Sequence, residues 1–208
     1  MHLQRIKDYW GALVLAEIFI LIFITGFFPK HWMPVAGPIL YSLLYLTTAL
    51  VLKRNRTRMI RAGFALLVAQ VIFKAVDWPV IEAISKGLNI IFFAIIVFMF
   101  IYQIASAKEV TGRVILEAIN GYLLLGLVFS FLISLMLQFD PGAFNFPNQR
   151  TLMDPLYYGI VTLTTLGYGD LLPVEPYAKS LSILIAVSGQ LYIAIIIALL
   201  VGKLSSRR

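Results

Sequence analysis

Residues 162–170 read Thr-Leu-Thr-Thr-Leu-Gly-Tyr-Gly-Asp, and no other run in the chain specifies a chemistry so tightly. Gly167 and Gly169 let the backbone visit conformations that other residues avoid, so successive carbonyls can be turned to one side. Four copies of such a strand around an axis would stack rings of carbonyl oxygens. Rings of this kind can replace the water shell of a monovalent cation. The chemistry is coordination by the main chain, with side chains needed chiefly to hold the strand in place.

Neighbouring elements must present this run at the right depth. Asp154-Pro155 reads as a helix start, with Asp as N-cap and Pro at the first helical position. The helix expected over 155–165 is roughly 16 Å long, half a bilayer rather than a crossing. A half-helix that feeds extended backbone at membrane depth needs surrounding protein or a water-filled cavity. The next apolar segment carries Gly189 near its middle. Ile193, Ile197 and Val201 follow at four-residue spacing, which puts them on one helix face.

Composition defines the class. Apolar residues make up 61% of the 208 and charged residues 13%, well away from the balance of a soluble domain. Six segments are expected to span: Ala12–Phe28, Val35–Leu52, Ala62–Val76, Leu88–Ile104, Gly121–Leu137 and Leu181–Val201. The fold expectation is an all-α membrane protein of six transmembrane helices, with the half-helix and its strand re-entrant between the fifth and sixth. The first segment follows Arg5 and Lys7, but residues 25–30 offer no small-residue cleavage site, so it is expected to be retained.

Charge orients the bundle. With both termini inside, 12 of the 17 basic residues gather on one side, among them Lys53, Arg54, Arg56, Arg58, Arg61, Lys108, Arg113 and Lys203. The positive-inside rule makes that side cytoplasmic, in a multi-pass plasma-membrane protein, and turns Tyr168–Asp170 outward. The net charge of +7 follows from this asymmetry, and no nucleic-acid partner is needed to explain it. The chain has no cysteine, which excludes disulfides and thiolate metal sites. His2 and His31 lack partners at ligand spacing and read as surface residues. Paired catalytic carboxylates, a nucleophile motif and a phosphate-cradling loop are all absent from the sequence, so an enzyme is not expected.

The run resembles the potassium-channel signature Thr-Val-Gly-Tyr-Gly-Asp, with Leu166 in place of the usual valine. The resemblance extends over about 121–201 in the order outer helix, pore helix, filter and inner helix. It implies potassium as the permeant ion, no organic cofactor, and closure of the pore by a homotetramer, because the chain has a single pore loop. Carried over position by position, Thr165, Leu166, Gly167 and Tyr168 would coordinate dehydrated potassium through their carbonyls. The Thr165 hydroxyl would close the innermost site, Gly169 would end the filter at 165–169, and Asp170 would stand behind its outer mouth. Tyr157 and Tyr158 occupy positions where many members carry a Trp-Trp pair, and Val161 stands where some place a glutamate. Tyr157 reads equally well as an interfacial belt residue. Gly189 corresponds to a hinge, and Ile193, Ile197 and Val201 to a cavity stripe that closes by dewetting, or else to plain packing surface.

Six spans with a filter between the last two look like the voltage-gated cation channel plan. The domain over 1–104 nevertheless lacks sensor charges, since Leu88–Ile104 contains no Lys or Arg, and voltage-driven opening is not expected. The basic run from Lys53 to Arg61 is topogenic and could hold anionic lipid. Glu17, inside the first segment, should face the bundle and pair with Arg58 or Arg61; Lys74 should snorkel near Asp77. Residues 105–120 read as an interfacial linker to the pore domain over 121–208, with the inner helix at 181–201, or as a polar joint. Three functions stay open: a voltage-insensitive potassium channel, a weakly selective cation channel, and a non-conducting regulatory membrane subunit. The intact Gly-Tyr-Gly favours the first.

Overall fold

The computed structural model describes residues 2–29, 33–52, 56–76, 79–147 and 153–205. Seven α-helices follow one another among them: α1 (His2–Phe19), α2 (Met33–Val51), α3 (Arg56–Val76), α4 (Pro79–Ser106), α5 (Gly112–Phe139), α6 (Met153–Leu163) and α7 (Pro176–Ser205). Beyond α1 the chain winds through a π-helical stretch at Ile20–Ile24 and a 3-10 turn at Thr25–Phe27. There the Thr25 hydroxyl donates to the Leu21 carbonyl at 2.5 Å, a local bond that competes with regular helix.

Six spans are not what the structure holds. Among the described residues, four helices are long and apolar enough to cross: Tyr9–Phe27, Val80–Ser106, Gly112–Phe139 and Pro176–Ser205. The expected spans at Val35–Leu52 and Ala62–Val76 are not among these four. In α2 the apolar stretch among the described residues is Ile39–Val51, and α3 opens on the basic residues Arg56, Arg58 and Arg61.

Helices α1 and α4 pack on α5, and α3 packs on α2 and α4. The main contact runs between α4 and α5, and α1 touches both α2 and α5. Phe93, fully buried, stacks between Tyr45 and Phe131 at ring-centroid distances of 5.2 and 6.1 Å. Three polar side chains inside this apolar packing, Tyr45, Gln70 and Asn89, are paired with one another, as a low-dielectric interior favours. Gln70 donates to Asn89 at 3.1 Å, and the Tyr45 hydroxyl bonds to both.

Glu17 also departs from expectation. Its carboxylate accepts a hydrogen bond from the Thr47 hydroxyl at 2.5 Å, because the buried face of α1 meets α2 rather than α3. Neither Arg58 nor Arg61 is its partner. The segment at 105–120 divides into the end of α4, a break at 107–111 and the first turns of α5. There Arg113 pairs with the buried Glu117 at 2.7 Å and donates to the Val51 carbonyl at 2.8 Å, tying the start of α5 to the end of α2. The expectations for His2, His31, Lys53, Arg54, Lys74 and Asp77 concern side chains outside the described residues.

Candidate functional site

Helix α6 is 11 residues long, Met153–Leu163, and carries Asp154 in its first turn, where a carboxylate suits the positive end of the helix dipole. It ends two residues earlier than 165. Thr165 takes φ +59°, outside the right-handed helical region, so helix cannot continue through it. The chain then turns out of the helix. The Leu166 N–H donates back to the Val161 carbonyl at 3.0 Å and the Gly167 N–H at 3.4 Å. Val161 therefore serves this site through its backbone; the missing glutamate side chain is a separate matter.

From Thr165 the sign of φ alternates. Thr165, Gly167 and Gly169 have φ of +59°, +55° and +80°, whereas Leu166 and Tyr168 are not left-handed. Ordinary extended chain points successive carbonyls to opposite sides. Alternation between left- and right-handed residues cancels that reversal, and is the backbone condition for carbonyls that share one side. The left-handed turn costs glycine nothing, but it costs a β-branched threonine of the order of 1–3 kcal/mol. That cost falls on Thr165, the residue whose hydroxyl also receives a long hydrogen bond from Gln190 at 3.4 Å.

The outer half of the strand rests on Tyr157. Its ring lies parallel to that of Tyr168, with centroids 6.4 Å apart, and its hydroxyl donates to Asp170 at 2.8 Å. That bond is the first cause holding the Tyr157 hydroxyl above the usual tyrosine pKa. Tyr158 points the other way: buried against Phe144 and Phe146, it shares a 2.6 Å hydrogen bond with Ser182 on α7. The two tyrosines thus divide the work expected of them. One braces the strand and the other locks α6 to α7.

Glycines allow the helices to approach. A Cβ on Gly189 would stand 2.0 Å from the Leu163 carbonyl oxygen, so α7 can pass the end of α6 only because residue 189 has none. This contact gives Gly189 a packing role, whatever hinge it forms. Tyr122 of α5 donates to the same carbonyl at 3.2 Å. Gly159 faces Ser130 and Gly126 faces Ile160 in the same manner, which draws α5 against α6.

Gly189 and the stripe below it do not share surroundings. The face of α7 buried on its own chain is Ile185, Gly189, Tyr192 and Ile196, whereas Ile193, Ile197 and Val201 are exposed on the single chain. Four residues exceed one helical turn by about 40°, so the stripe drifts away from the contact as it descends. Residues 164–170 are exposed as well, including 57% of Leu166 and 67% of Tyr168. Two features had no signal in the sequence reading. They are Ser182 as partner of Tyr158 and the loop at 140–146, which pairs with residues 172–175.

Residues 118–206 match a family model described as "ion channel". The match begins in α5 and ends just past α7, so it covers the half-helix, the strand and both flanking helices. No curated protein and no solved structure matches the chain.

Proposed function

We propose that this protein conducts potassium selectively and passively across a cell membrane, a reading supported by the match of residues 118–206 to an ion-channel family model and by the likeness of the 165–170 run to the potassium-channel signature. Four copies assemble around a shared axis. Their 165–169 strands turn the carbonyls of Thr165, Leu166, Gly167 and Tyr168 inward as stacked rings, with the Thr165 hydroxyl closing the innermost site. The observation that carries this reading is the alternation of φ through Thr165, Gly167 and Gly169, on a strand left exposed by its own chain. A soluble or purely structural loop has no use for a threonine held left-handed between exposed neighbours.

Potassium enters because the rings offer it a coordination shell equivalent to water, whereas sodium is not repaid for its larger dehydration cost. The C-terminal end of α6 aims partial negative charge at the cavity and favours a cation there. Ile193, Ile197 and Val201 line that cavity, and close it when the apolar stripes draw together and expel water. Opening is not driven by voltage, since Leu88–Ile104 has no basic residue to move through the field. The basic ends of the helices, including Arg56, Arg58 and Arg61, face the cytoplasm and lie against anionic headgroups. The filter mouth opens outward.

The test is potassium efflux from sodium-bathed vesicles that hold the purified full chain. Efflux without matching sodium entry is expected. Equal movement of both ions would replace this reading with a weakly selective channel. An oligomer other than a tetramer in the same preparation would remove the ring geometry.

A further inference from the structure

A strand that coordinates ions with its carbonyls cannot also use them to hold itself in place. The outer exit of the filter therefore needs support from elsewhere. Tyr157 holds Tyr168 and Asp170, and two residues later the chain meets the loop over 140–146. Phe144 bridges Pro173 in antiparallel fashion, flanked by main-chain hydrogen bonds from Asn145 N–H to the Leu172 carbonyl at 3.0 Å and from Val174 N–H to the Ala143 carbonyl at 2.9 Å. Pro173, which has no N–H, sits where none is required. The Leu172 N–H is then taken up by a side chain: it donates to Asn145 Oδ1 at 2.5 Å. Asn145 thus grips both the carbonyl and the amide of Leu172.

A grip holds only if the gripping part is anchored, and this loop is. Asp140 accepts from the Gly142 N–H at 2.9 Å and from the Tyr177 hydroxyl, which pins the loop to the start of α7. Phe144 and Phe146 are buried against Tyr158, with centroids 5.1 and 5.7 Å away, and Tyr158 is bonded to Ser182. The loop is therefore continuous with α6 and α7.

We infer that Asn145 is a positioning residue for the filter, its side-chain oxygen fixing Leu172 so that residues 168–170 cannot swing out of the conducting arrangement. The inference rests on the proposed potassium pathway. It adds that the outer loop, whose Asn145 lies 27 residues before Leu172 in sequence, sets how long the filter stays conducting. The demand is greatest when external potassium is low, because emptied carbonyl rings repel one another and only the surrounding braces resist their opening.

The experiment compares the full chain with Asn145→Ala, which removes the acceptor, and Asn145→Asp, which keeps one. Each is recorded in a planar bilayer as external potassium is lowered. Losing one hydrogen bond is expected to shift the ratio of conducting to non-conducting filters about 2–10-fold in Asn145→Ala, seen as faster current decay. Asn145→Asp should decay like the unaltered protein. Equal decay in all three, or loss in Asn145→Asp to the same degree as in Asn145→Ala, overturns the inference. Amide exchange at Leu172 is followed in parallel and needs no current. Faster exchange in Asn145→Ala alone supports the grip, and unchanged exchange refutes it. A protein that conducts sodium and potassium alike would defeat the proposed function, while the exchange result would still decide whether Asn145 holds Leu172.

Discussion

Helices α5 and α7 are near equals by composition, with mean hydropathies of 2.2 and 2.5 in the most apolar 18-residue window of each. Their surroundings differ. In α5, 44% of the apolar window is buried by the rest of the chain; in α7 the share is 22%. Helix α5 is enclosed by α1, α4 and α6, and α7 touches its own chain mainly along Ile185, Gly189, Tyr192 and Ile196. The uncovered surface of α7 is close in sequence to the exposed strand at 165–169. Hydropathy says that a segment avoids water; it does not say whether lipid, its own chain or another copy covers it. In the proposed assembly, the uncovered face of α7 is where the four copies would meet.

Changes in the uncovered half should act on transport. The largest effect is expected from Gly167→Ala. An alanine held at φ +55° costs about 1–2 kcal/mol, or about 4–8 kcal/mol over four copies, enough to empty the conducting arrangement. Potassium efflux that stays selective in this variant would sink the filter assignment.

Next come two glycines that compare the helices directly. A Cβ on Gly189 meets the Leu163 backbone carbonyl at 2.0 Å, whereas one on Gly121 meets the Tyr192 hydroxyl at 2.3 Å, the end of a side chain that can shift. Overpacking costs typically about 1–3 kcal/mol, and Gly189→Ala should lie at or above the top of that range. Gly121→Ala should be milder, losing chiefly the Tyr192 bond to the Ala118 carbonyl. Thermal unfolding of the detergent-solubilised variants checks the order, and the reverse order would mean that α7 does not seat on α6 as described.

Because the chain has no cysteine, single thiols report accessibility cleanly. Ile197→Cys should react with a cationic thiol reagent applied from the cytoplasmic side and lose current. Leu127→Cys, on the covered helix and fully buried, should not. Equal reactivity would erase the distinction between the two helices. Tyr157→Phe should have the smallest effect, a modest quickening of current decay, since the ring contact with Tyr168 survives the loss of the Asp170 bond. Decay unchanged in that variant would remove Tyr157 from the support of the strand.

What could be read beforehand follows the same division. The strand at 165–169 was legible because its demands are local: glycines where φ must be positive, and a helix start 11 residues upstream. The inner and outer helices were legible as apolar runs. The number of spans was not: both α2 and α3 read as apolar runs, yet the four helices long and apolar enough to cross among the described residues do not include them. Glu17 was read as needing a charge because its depth was known and its facing helix was not; Thr47 on α2 is the partner. The close passage of Gly189 over Leu163 and the grip of Asn145 on Leu172 join residues 26 or 27 positions apart. No local pattern encodes such a meeting, which depends on how α5, α6 and α7 pack.

The central claim is that the exposed strand is an ion filter selective for potassium. It is tested most directly by the reversal potential of the purified protein in a planar bilayer, with potassium on one side and sodium on the other. Reversal far towards the potassium equilibrium potential is expected. Reversal near zero would contradict it.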